Sequence, residues 1–400
     1  MTTLAGREIV LGVTGGIAAY KSCEIIRELR KEGANVSVIL TASGSQFITP
    51  LTLQTLSKNP VHTDLFNLIS ESDIGHISLA QRANLLLIAP ATANIIGKIR
   101  HGIADDLLST VAMATAAPIL IAPAMNSEMY AAAAVRENLE ALVERGVTFV
   151  DPGEGALACG MVGAGRLADS GKILEMARIL LSDKILEGKK VVVSAGPTAE
   201  DIDPVRFITN RASGKMGYAM AIVARRFGAD VTLVTGPTRL PDPPFLKVEH
   251  VRSAHEMGNA VMAAGENANV IVMAAAVADL RPAVPAARKI PKKELKENME
   301  VVRTDDILAN LGGSKRNRVL VGFAAETNDV EAKAREKMRK KNLDAIVAND
   351  VSRGDIGFDS DSNEVKVLFS DGTALDFVKA SKDAIATAVW RAITVKSLRA

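Results

Sequence analysis

Three side chains in the first half of the chain combine a reactive type with an unusual setting. Asn126 lies in PAMNSEMY, directly after the apolar run PILIA, where an amide flanked by Met125 and Met129 is neither good core nor an ordinary polar turn. His76 lies in DIGHISLAQRANLLL, with Asp73 placed to cap the helix that this stretch predicts. A helix N-terminus disfavours imidazolium, so a neutral, base-competent imidazole is expected; a packed or capping His is the alternative. Cys159 lies in DPGEGALACGMVGAGRL, a Gly-rich segment without strand or helix periodicity. Such a segment can carry a thiol over a site and away again, as a lid does. Cys23 falls on the amphipathic CEIIRELRKEG and reads as core.

The second half has its own polar constellation. AEDIDPVRFITNRASGKMG follows the predicted strand and turn KKVVVSAGPT and gathers Arg206, Asn210, Arg211 and Lys215 around Ser213 and Gly214. It is not a Walker A loop, because the leading Gly is absent and Met216 replaces the Ser/Thr after Lys. Lys289, Lys292 and Lys293 close the Pro-rich DLRPAVPAARKIPKK, and Lys337 and Lys341 fall four apart on one face of the predicted helix AKAREKMRKKN. Basic helix faces and polar loops are often only solvated. With Asp279, however, these groups match the charge inventory of a nucleoside triphosphate site, where lysines neutralise phosphates.

Such side chains need elements to place them, and the chain supplies the same series twice. REIVLGV runs into TGGIAAYKS, CEIIRELRKEG and the strand NVSVILTAS; KKVVVSAGPT, AIVARRFGA and DVTLVTGP repeat that order. ANLLLIAPATAN at 83–94 matches ANVIVMAAAVAD at 268–279, and PILIAPAMN matches RVLVGFAAE. These continuous apolar runs read as parallel strands covered on both faces, joined by right-handed helical crossovers. The polar SDKILEGKK is the expected junction, giving domains 1–185 and 186–400. The fold class is α/β: two doubly wound, mainly parallel-sheet, Rossmann-like domains in tandem. Ligands of such sheets collect at the carboxyl ends of the strands, where Thr14 to Ala18, Pro90 to Asn94, Asn126, Gly196 to Thr198 and Asp279 fall.

At 400 residues, 48% hydrophobic and 24% charged, the chain has material for two cores. A net charge of +2 and 4% aromatic residues argue against a nucleic-acid binder, which needs basic surface and stacking platforms. MTTLAGR leads straight into an apolar strand without a signal-peptide layout. The most apolar stretch, VAMATAAPILIAPAM, is too short and too broken by Pro118 and Pro123 to span a bilayer. Two cysteines without paired spacing predict neither a disulfide framework nor a zinc site. The expectation is a soluble, cytoplasmic protein.

The turn Gly12-Val13-Thr14-Gly15-Gly16-Ile17 suits a phosphate, since glycines admit close backbone approach and a helix N-terminus offers N–H groups. It is not GxGxxG, and helix–strand packing is the alternative use of the glycines. The second strands end in Thr41-Ala42-Ser43 and Thr235-Gly236, without the carboxylate that a dinucleotide fold places on the ribose. NAD is therefore disfavoured in both halves, and a mononucleotide such as FMN fits the first.

Two sets of motifs carry a resemblance over essentially the whole chain. GVTGGIAAYK, Pro-Ala-Thr-Ala-Asn at 90–94, PAMNSEMY, and ACG followed by GRL resemble the flavin-dependent cysteine decarboxylases. FITNRASGKMG, AAAVAD, KIPKK, GFAAET and KNLDAIVAND resemble phosphopantothenate–cysteine ligase. In that order they resemble the coenzyme A biosynthesis family in which phosphopantothenoylcysteine decarboxylase is fused to that ligase. The resemblance implies that the second half activates 4′-phosphopantothenate with CTP, with Mg2+, and joins the acyl-cytidylate to L-cysteine. ATP is the alternative nucleotide, and no residue names the metal ligands. It implies that the first half, with FMN, oxidises the new thiol to a thioaldehyde, loses CO2 and reduces the enethiolate, giving 4′-phosphopantetheine.

By the same resemblance His76 is the base, Asn126 binds the departing carboxylate, Cys159 donates a proton from a flap, and Asn210 attends the acyl-cytidylate. FMN contacts are implied at Thr14, Gly15, Gly16, Ile17, Ala18, Thr41, Ser43, Thr92 and Ser109. CTP contacts are implied at Met273, Ala274, Ala275, Asp279, Lys289, Asp305, Asp306, Ile307, Leu308, Phe323, Lys337 and Lys341. Asp305 stands where many members have Pro, which leaves the local geometry open. Trimers through the flavin domain and dimers through the ligase domain, making a dodecamer, are implied as well. Flavin prenylation, a non-catalytic regulatory role and a tandem NAD oxidoreductase are the rivals; an intact His76 and Cys159 weigh against the first two, and the strand ends against the third.

Overall fold

In the computed structural model, which describes residues 4–65, 75–156, 162–294, 298–326, 328–350 and 360–398, the chain divides into Met1–Ser182 and Asp183–Ala400. The first unit is built on β1 (Glu8–Val13), β2 (Asn35–Leu40), β3 (Val61–His62), β4 (Leu85–Ala91), β5 (Ile119–Pro123) and β6 (Thr148–Phe149). They form one sheet in the order β3-β2-β1-β4-β5-β6, and each pair is parallel. The helices are α1 (Ser22–Lys31), α2 (Pro50–Ser57), α3 (Gly75–Arg82), α4 (Ala93–His101), α5 (Leu107–Ala114), α6 (Ser127–Ala131), α7 (Ala133–Glu144) and α8 (Ser170–Leu181). Val10, Ile39, Leu86, Ile88 and Ile121 face α3, α4, α5 and α7 in one core, while α1 packs on β2 and α8, and α8 on β5. Burial on both faces explains why these strands are unbroken apolar runs. The strand order reverses between β1 and β4, which is the switch point.

The Gly-rich stretch expected to lack regular structure contains an antiparallel hairpin of β7 (Gly153–Ala156) and β8 (Val162–Arg166). Its glycines hid it: Gly155 and Gly165 adopt φ of 143° and 144°, extended conformations that side chains rarely take, and Gly155 faces Gly163 across the ladder. No apolar alternation is left to read.

The second unit has an eight-stranded sheet. Its strands, with two side hairpins, are β9 (Lys190–Ala195), β10 (Ala199–Asp201), β11 (Phe207–Thr209), β12 (Asp230–Thr235), β13 (Lys247–His250), β14 (Val270–Met273), β15 (Leu280–Pro282), β16 (Val301–Arg303), β17 (Val319–Glu326), β18 (Ala345–Asp350), β19 (Ser362–Phe369) and β20 (Ala374–Ser381). The sheet order is β13-β12-β9-β14-β17-β18-β19-β20, parallel up to β18 and antiparallel beyond. Strand periodicity sorts β9 between two cores: Val191, Val193 and Ala195 join α9 (Lys215–Arg226) and α13 (Lys382–Ile393) around Trp390. Val192 joins α10 (Ala254–Gly265), α11 (Ile307–Gly313) and α12 (Val330–Lys340) on the other face. The doubly wound tandem is thus as the sequence predicts, and β19 and β20 extend it. The polar insertion of the second half is also partly regular, since β10 and β11 form a hairpin.

Candidate functional site

Register aligns Val13 with Leu40 and Ala91 with Pro123, so the segments that follow β1, β2, β4 and β5 share one edge. Thr14 is buried there and fastens β1 to β4: its hydroxyl donates to the Pro90 carbonyl at 2.7 Å and accepts from the Thr92 N–H at 3.1 Å. Gly15 has no room for a side chain, because a Cβ would lie 2.3 Å from that of Ser43, which presses the two turns together. Gly16 faces open space. Ile17 and Ala18 precede the first hydrogen bond of the 3-10 turn Ile17–Lys21, from the Ala19 N–H to the Gly16 carbonyl at 2.9 Å. Their N–H groups lie outside the helical ladder, and the open cradle above Gly16 fits a phosphate. Thr41 accepts from the Gly44 N–H at 3.1 Å, Ser43 is exposed, and Thr92 stands at the N-cap of α4 without a capping side-chain bond.

Ser109 is placed differently. It is wholly buried, and its hydroxyl is spent in the capping box of α5, donating to Asp106. Lys98 reaches Asp105 at 2.6 Å and Asp106 at 2.8 Å. Burial opposes ionisation of Asp106, but the Lys98 ammonium and the Ser109 N–H prevail and hold its carboxyl below the usual range.

Asn126 caps α6, its amide oxygen accepting the Glu128 N–H at 2.8 Å. The Met125 N–H donates to the Gly165 carbonyl at 3.0 Å, and a Cβ on Gly165 would stand 2.3 Å from the Met125 carbonyl oxygen. Strand β8 therefore lies against the Asn126 turn. Residues 157–161, which join β7 to β8, include Cys159 and lie outside the described residues. Met125 packs on the core and Met129 is half exposed. His76 is the second residue of α3; its Nδ1 is buried and has no hydrogen-bond partner among the described residues. Asp73, the expected cap, lies outside the described residues. Cys23 is partly buried on α1, and burial pushes its thiol up, away from reactivity.

In the second unit the glycines bring remote segments together. Gly196 and Gly214 adopt φ of 73° and 80°, and a Cβ on Gly214 would lie 3.3 Å from the Gly196 backbone. A Cβ on Gly217 would stand 2.6 Å from that of Ala195, so α9 starts hard against the end of β9. Around this junction opens a cavity of about 440 Å³ that reaches Asn210, Ala274, Ala275, Asp279, Phe323 and Lys337. The Asn210 amide donates to the carbonyls of Ala276 (3.3 Å) and Val277 (3.0 Å), and the Lys337 ammonium to that of Phe323 (3.0 Å).

Other expected residues stand apart from this cavity. Met273, Ile307 and Leu308 are buried in the core beneath it. Asp306 caps α11 and pairs with Lys341 at 2.8 Å. Burial works against the Asp306 carboxylate, yet Lys341 and the Ala309 N–H hold it below the usual range. Asp305 lines a second cavity of about 490 Å³ with Arg252, Arg281 and Arg303, and Lys289 is exposed. Arg206 belongs to a structural knot, paired with the buried Asp203 at 3.0 Å. Sequence reasoning missed Asn349, Asn363 and Lys382, which also line the first of these cavities. The signal for two of them was the alternation of SNEVKVLF and the Ser381 cap before Lys382.

Comparison with known proteins gives two family matches: "Flavoprotein" over residues 1–181 and "DNA/pantothenate metabolism flavoprotein C-terminal domain" over residues 186–396. A Coenzyme A biosynthesis bifunctional protein CoaBC of Bacillus subtilis is 47% identical over 373 residues, 92% of each chain. One of Vibrio cholerae is 46% identical over 396 residues, covering 98% of this chain and 99% of that one. A solved C-terminal domain of a protein of the same name is 40% identical, covers 53% of this chain and 97% of that domain, and has a TM-score of 0.46.

Proposed function

The chain belongs to the family of coenzyme A biosynthesis bifunctional proteins, with phosphopantothenate–cysteine ligase and phosphopantothenoylcysteine decarboxylase activities on one polypeptide, and on that premise we propose how its residues divide the work. Residues 186–400 carry the ligase and residues 1–185 the decarboxylase. The observation that carries the assignment of sites is the strand-end cavity of the second unit, where residues 210–217, 274–279, 323 and 337 meet.

In the ligase half the carboxylate of 4′-phosphopantothenate attacks the α-phosphorus of CTP. The bond to the β-phosphate breaks and diphosphate leaves with the electron pair. The amine of L-cysteine then attacks the acyl carbon, and CMP departs. Lys337, fixed on the Phe323 carbonyl, supplies positive charge, and Asp279 faces the sugar hydroxyls. Asn210 stands at the acyl group; to donate there, one of its N–H groups must leave a backbone carbonyl. Lys341 acts through Asp306, and Met273, Ile307 and Leu308 support the wall from the core. Asp279 is the carboxylate that lines the cavity among the described residues and would be the group to meet a Mg2+ ion brought in with the triphosphate.

In the decarboxylase half the open Gly16 cradle and the N–H groups of Ile17 and Ala18 would hold the phosphate of FMN, with Ser43 and Thr92 on the neighbouring turns. When bound there, FMN supplies the two-electron sink without which a carboxylate cannot leave. His76 moves the proton at its buried Nδ1 side, and Asn126 orients the carboxylate. Cys159 is the proton donor of this reading, and β8, which follows it in sequence, lodges on the Asn126 turn.

Exposed apolar side chains support self-association. Val205, Phe207, Leu280 and Val301 gather on the side hairpins of the second unit, and Ile17, Tyr20, Phe47 and Leu51 around the Gly-rich edge of the first. Dimers through the one and trimers through the other give a dodecamer, which light scattering tests; a monomeric mass would refute it. The function itself is tested by mass spectrometry of products from 4′-phosphopantothenate, cysteine, CTP and Mg2+. A 4′-phosphopantetheine peak is expected; product that stops at phosphopantothenoylcysteine would refute the decarboxylase sites, and no product with either CTP or ATP would refute both.

A further inference from the structure

We propose that the side-chain amide of Asn363 donates to a phosphate oxygen of the nucleotide; this rests on the ligase reading above and adds a residue outside the motifs that carry the resemblance. β19 runs antiparallel to β18, so its start rather than its end stands at the carboxyl edge of the parallel strands. Asn363 is the second residue of β19, only 3% exposed, and lines the strand-end cavity. Val365 and Val367, on the same face by strand alternation, enter the core formed with α9 and α13. Where that apolar column reaches the cavity it ends in an amide. The pairing of β19 with β20 is irregular between Asn363 and Val365, and a bulge of this kind re-aims a side chain at the rim of a sheet.

Both ends of the carboxamide are placed. Its oxygen accepts the Glu364 N–H at 3.0 Å, and its nitrogen donates to the Met216 sulfur at 3.7 Å. A thioether is a weak acceptor and an amide nitrogen carries two N–H groups, so a stronger acceptor can be taken up there. Met216 is the second residue of α9, which sets this donor beside the first turn of that helix. The N-cap, Gly214, brings no side chain to the turn. The N–H groups of Met216 and Gly217 precede the first helical bond, from the Tyr218 N–H to the Gly214 carbonyl at 3.0 Å. Residues 214–217 line the same cavity as Asn363. Main-chain donors at a helix start select an anion, and the nucleotide occupies this cavity in the ligase reading, so the anion is its phosphate chain. On binding, the Asn363 donor exchanges a neutral sulfur for a charged oxygen, which is the stronger hydrogen bond.

The test measures ligation by the full chain, with inorganic triphosphate as a competitor of CTP. Asn363→Leu, close in size but without the donor, should raise the KM for CTP about tenfold or more. The inhibition constant of inorganic triphosphate should rise with it. The rate at saturating CTP and the KM for 4′-phosphopantothenate should stay within about threefold of wild type, as for a contact made equally in the ground and transition states. Asn363→Asp then separates this role from a structural one. It keeps an oxygen for the Glu364 N–H, so a residue that only braces the strand would be rescued by Asp. A residue that faces phosphate is made worse by Asp than by Leu, because like charges repel. An Asn363→Asp protein with a lower KM for CTP than Asn363→Leu would overturn the proposal; if the Leu variant does not fold, a wild-type KM in Asn363→Asp would do so. A rise confined to the KM for 4′-phosphopantothenate, or a rise for CTP that inorganic triphosphate does not share, would overturn it as well. Wild-type protein that forms phosphopantothenoylcysteine with CTP separates these failures from failure of the ligase reading.

Discussion

Asn126→Asp separates the cap that Asn126 provides from its proposed role at the substrate carboxylate. The side chain caps α6 through its oxygen, and Asp caps as well as Asn, so folding stability should shift by no more than about 0.5 kcal/mol. What changes is charge at the end of β5. The substrate carboxylate, held in contact with that side chain, would face a second carboxylate. Two such charges about 4 Å apart in a partly buried site, at an effective dielectric of about 20, repel by about 4 kcal/mol. That corresponds to a loss of roughly a thousandfold in decarboxylation. The assay follows conversion of phosphopantothenoylcysteine by mass spectrometry, with ligation in the same preparation as the internal control. Asn126→Ala provides the contrast. It gives up the cap, at about 1 kcal/mol, and the donor, but adds no repulsion, so it should lose less activity while costing more stability. Decarboxylation by Asn126→Asp within threefold of wild type would show that the amide serves only α6.

Three further outcomes follow from the first unit. His76→Asn should lower decarboxylation by about 10² to 10⁴ while ligation in the same preparation continues; an active variant would refute the assignment of the base. Gly165→Ala, at φ 144° and with its Cβ 2.3 Å from the Met125 carbonyl oxygen, should displace the hairpin and slow decarboxylation while ligation continues, and unchanged rates for both would refute the positioning role of β8. Asp106→Asn keeps the cap but removes the charge paired with Lys98. Since the Asp106 carboxyl is held below its usual range, its contribution is complete above about pH 4 and is lost as pH falls through the lower folded value. The wild-type advantage in denaturant midpoint, followed by circular dichroism, should therefore shrink between neutral pH and pH 3; a pH-independent gap would refute the ion pair.

The parallel strands were legible because both of their faces are buried, which leaves runs such as LLLIAPA that no other element produces. Their ends were legible for the same reason: a polar residue directly after such a run, as at Thr14 or Asn126, must stand at the edge of the sheet. Elsewhere the pattern carried less. β20, ALDFVKAS, alternates between half-buried and exposed residues, so its hydrophobic signal is faint. In β7 and β8 the ladder is made by glycine backbone, and side-chain periodicity vanishes. Spacing also could not tell which polar atoms are already engaged. Lys341 and Lys337 share a helix face, yet one closes on Asp306 and the other on the Phe323 carbonyl at the cavity. Such partners come from distant segments and are fixed only by the fold.

The two amides show how prior engagement shapes chemistry. A carboxamide has acceptor and donor atoms, and whichever is committed to the fold determines what the other can offer. Asn126 accepts the Glu128 N–H with its oxygen, and in the proposed role its amide would donate to the substrate carboxylate. Being neutral, such a donor would hold the carboxylate without an ion pair, and less ground-state attraction would have to be undone when CO2 departs. Asn210 is committed the other way, its N–H groups donating to the Ala276 and Val277 carbonyls. Donation to an acyl oxygen there exchanges one hydrogen bond for another. It becomes favourable only as charge builds on that oxygen, because a bond to a charged acceptor is stronger than one to a neutral carbonyl. In the proposed role the exchange would therefore stabilise the transition state more than the bound substrate, which is what lowers a barrier.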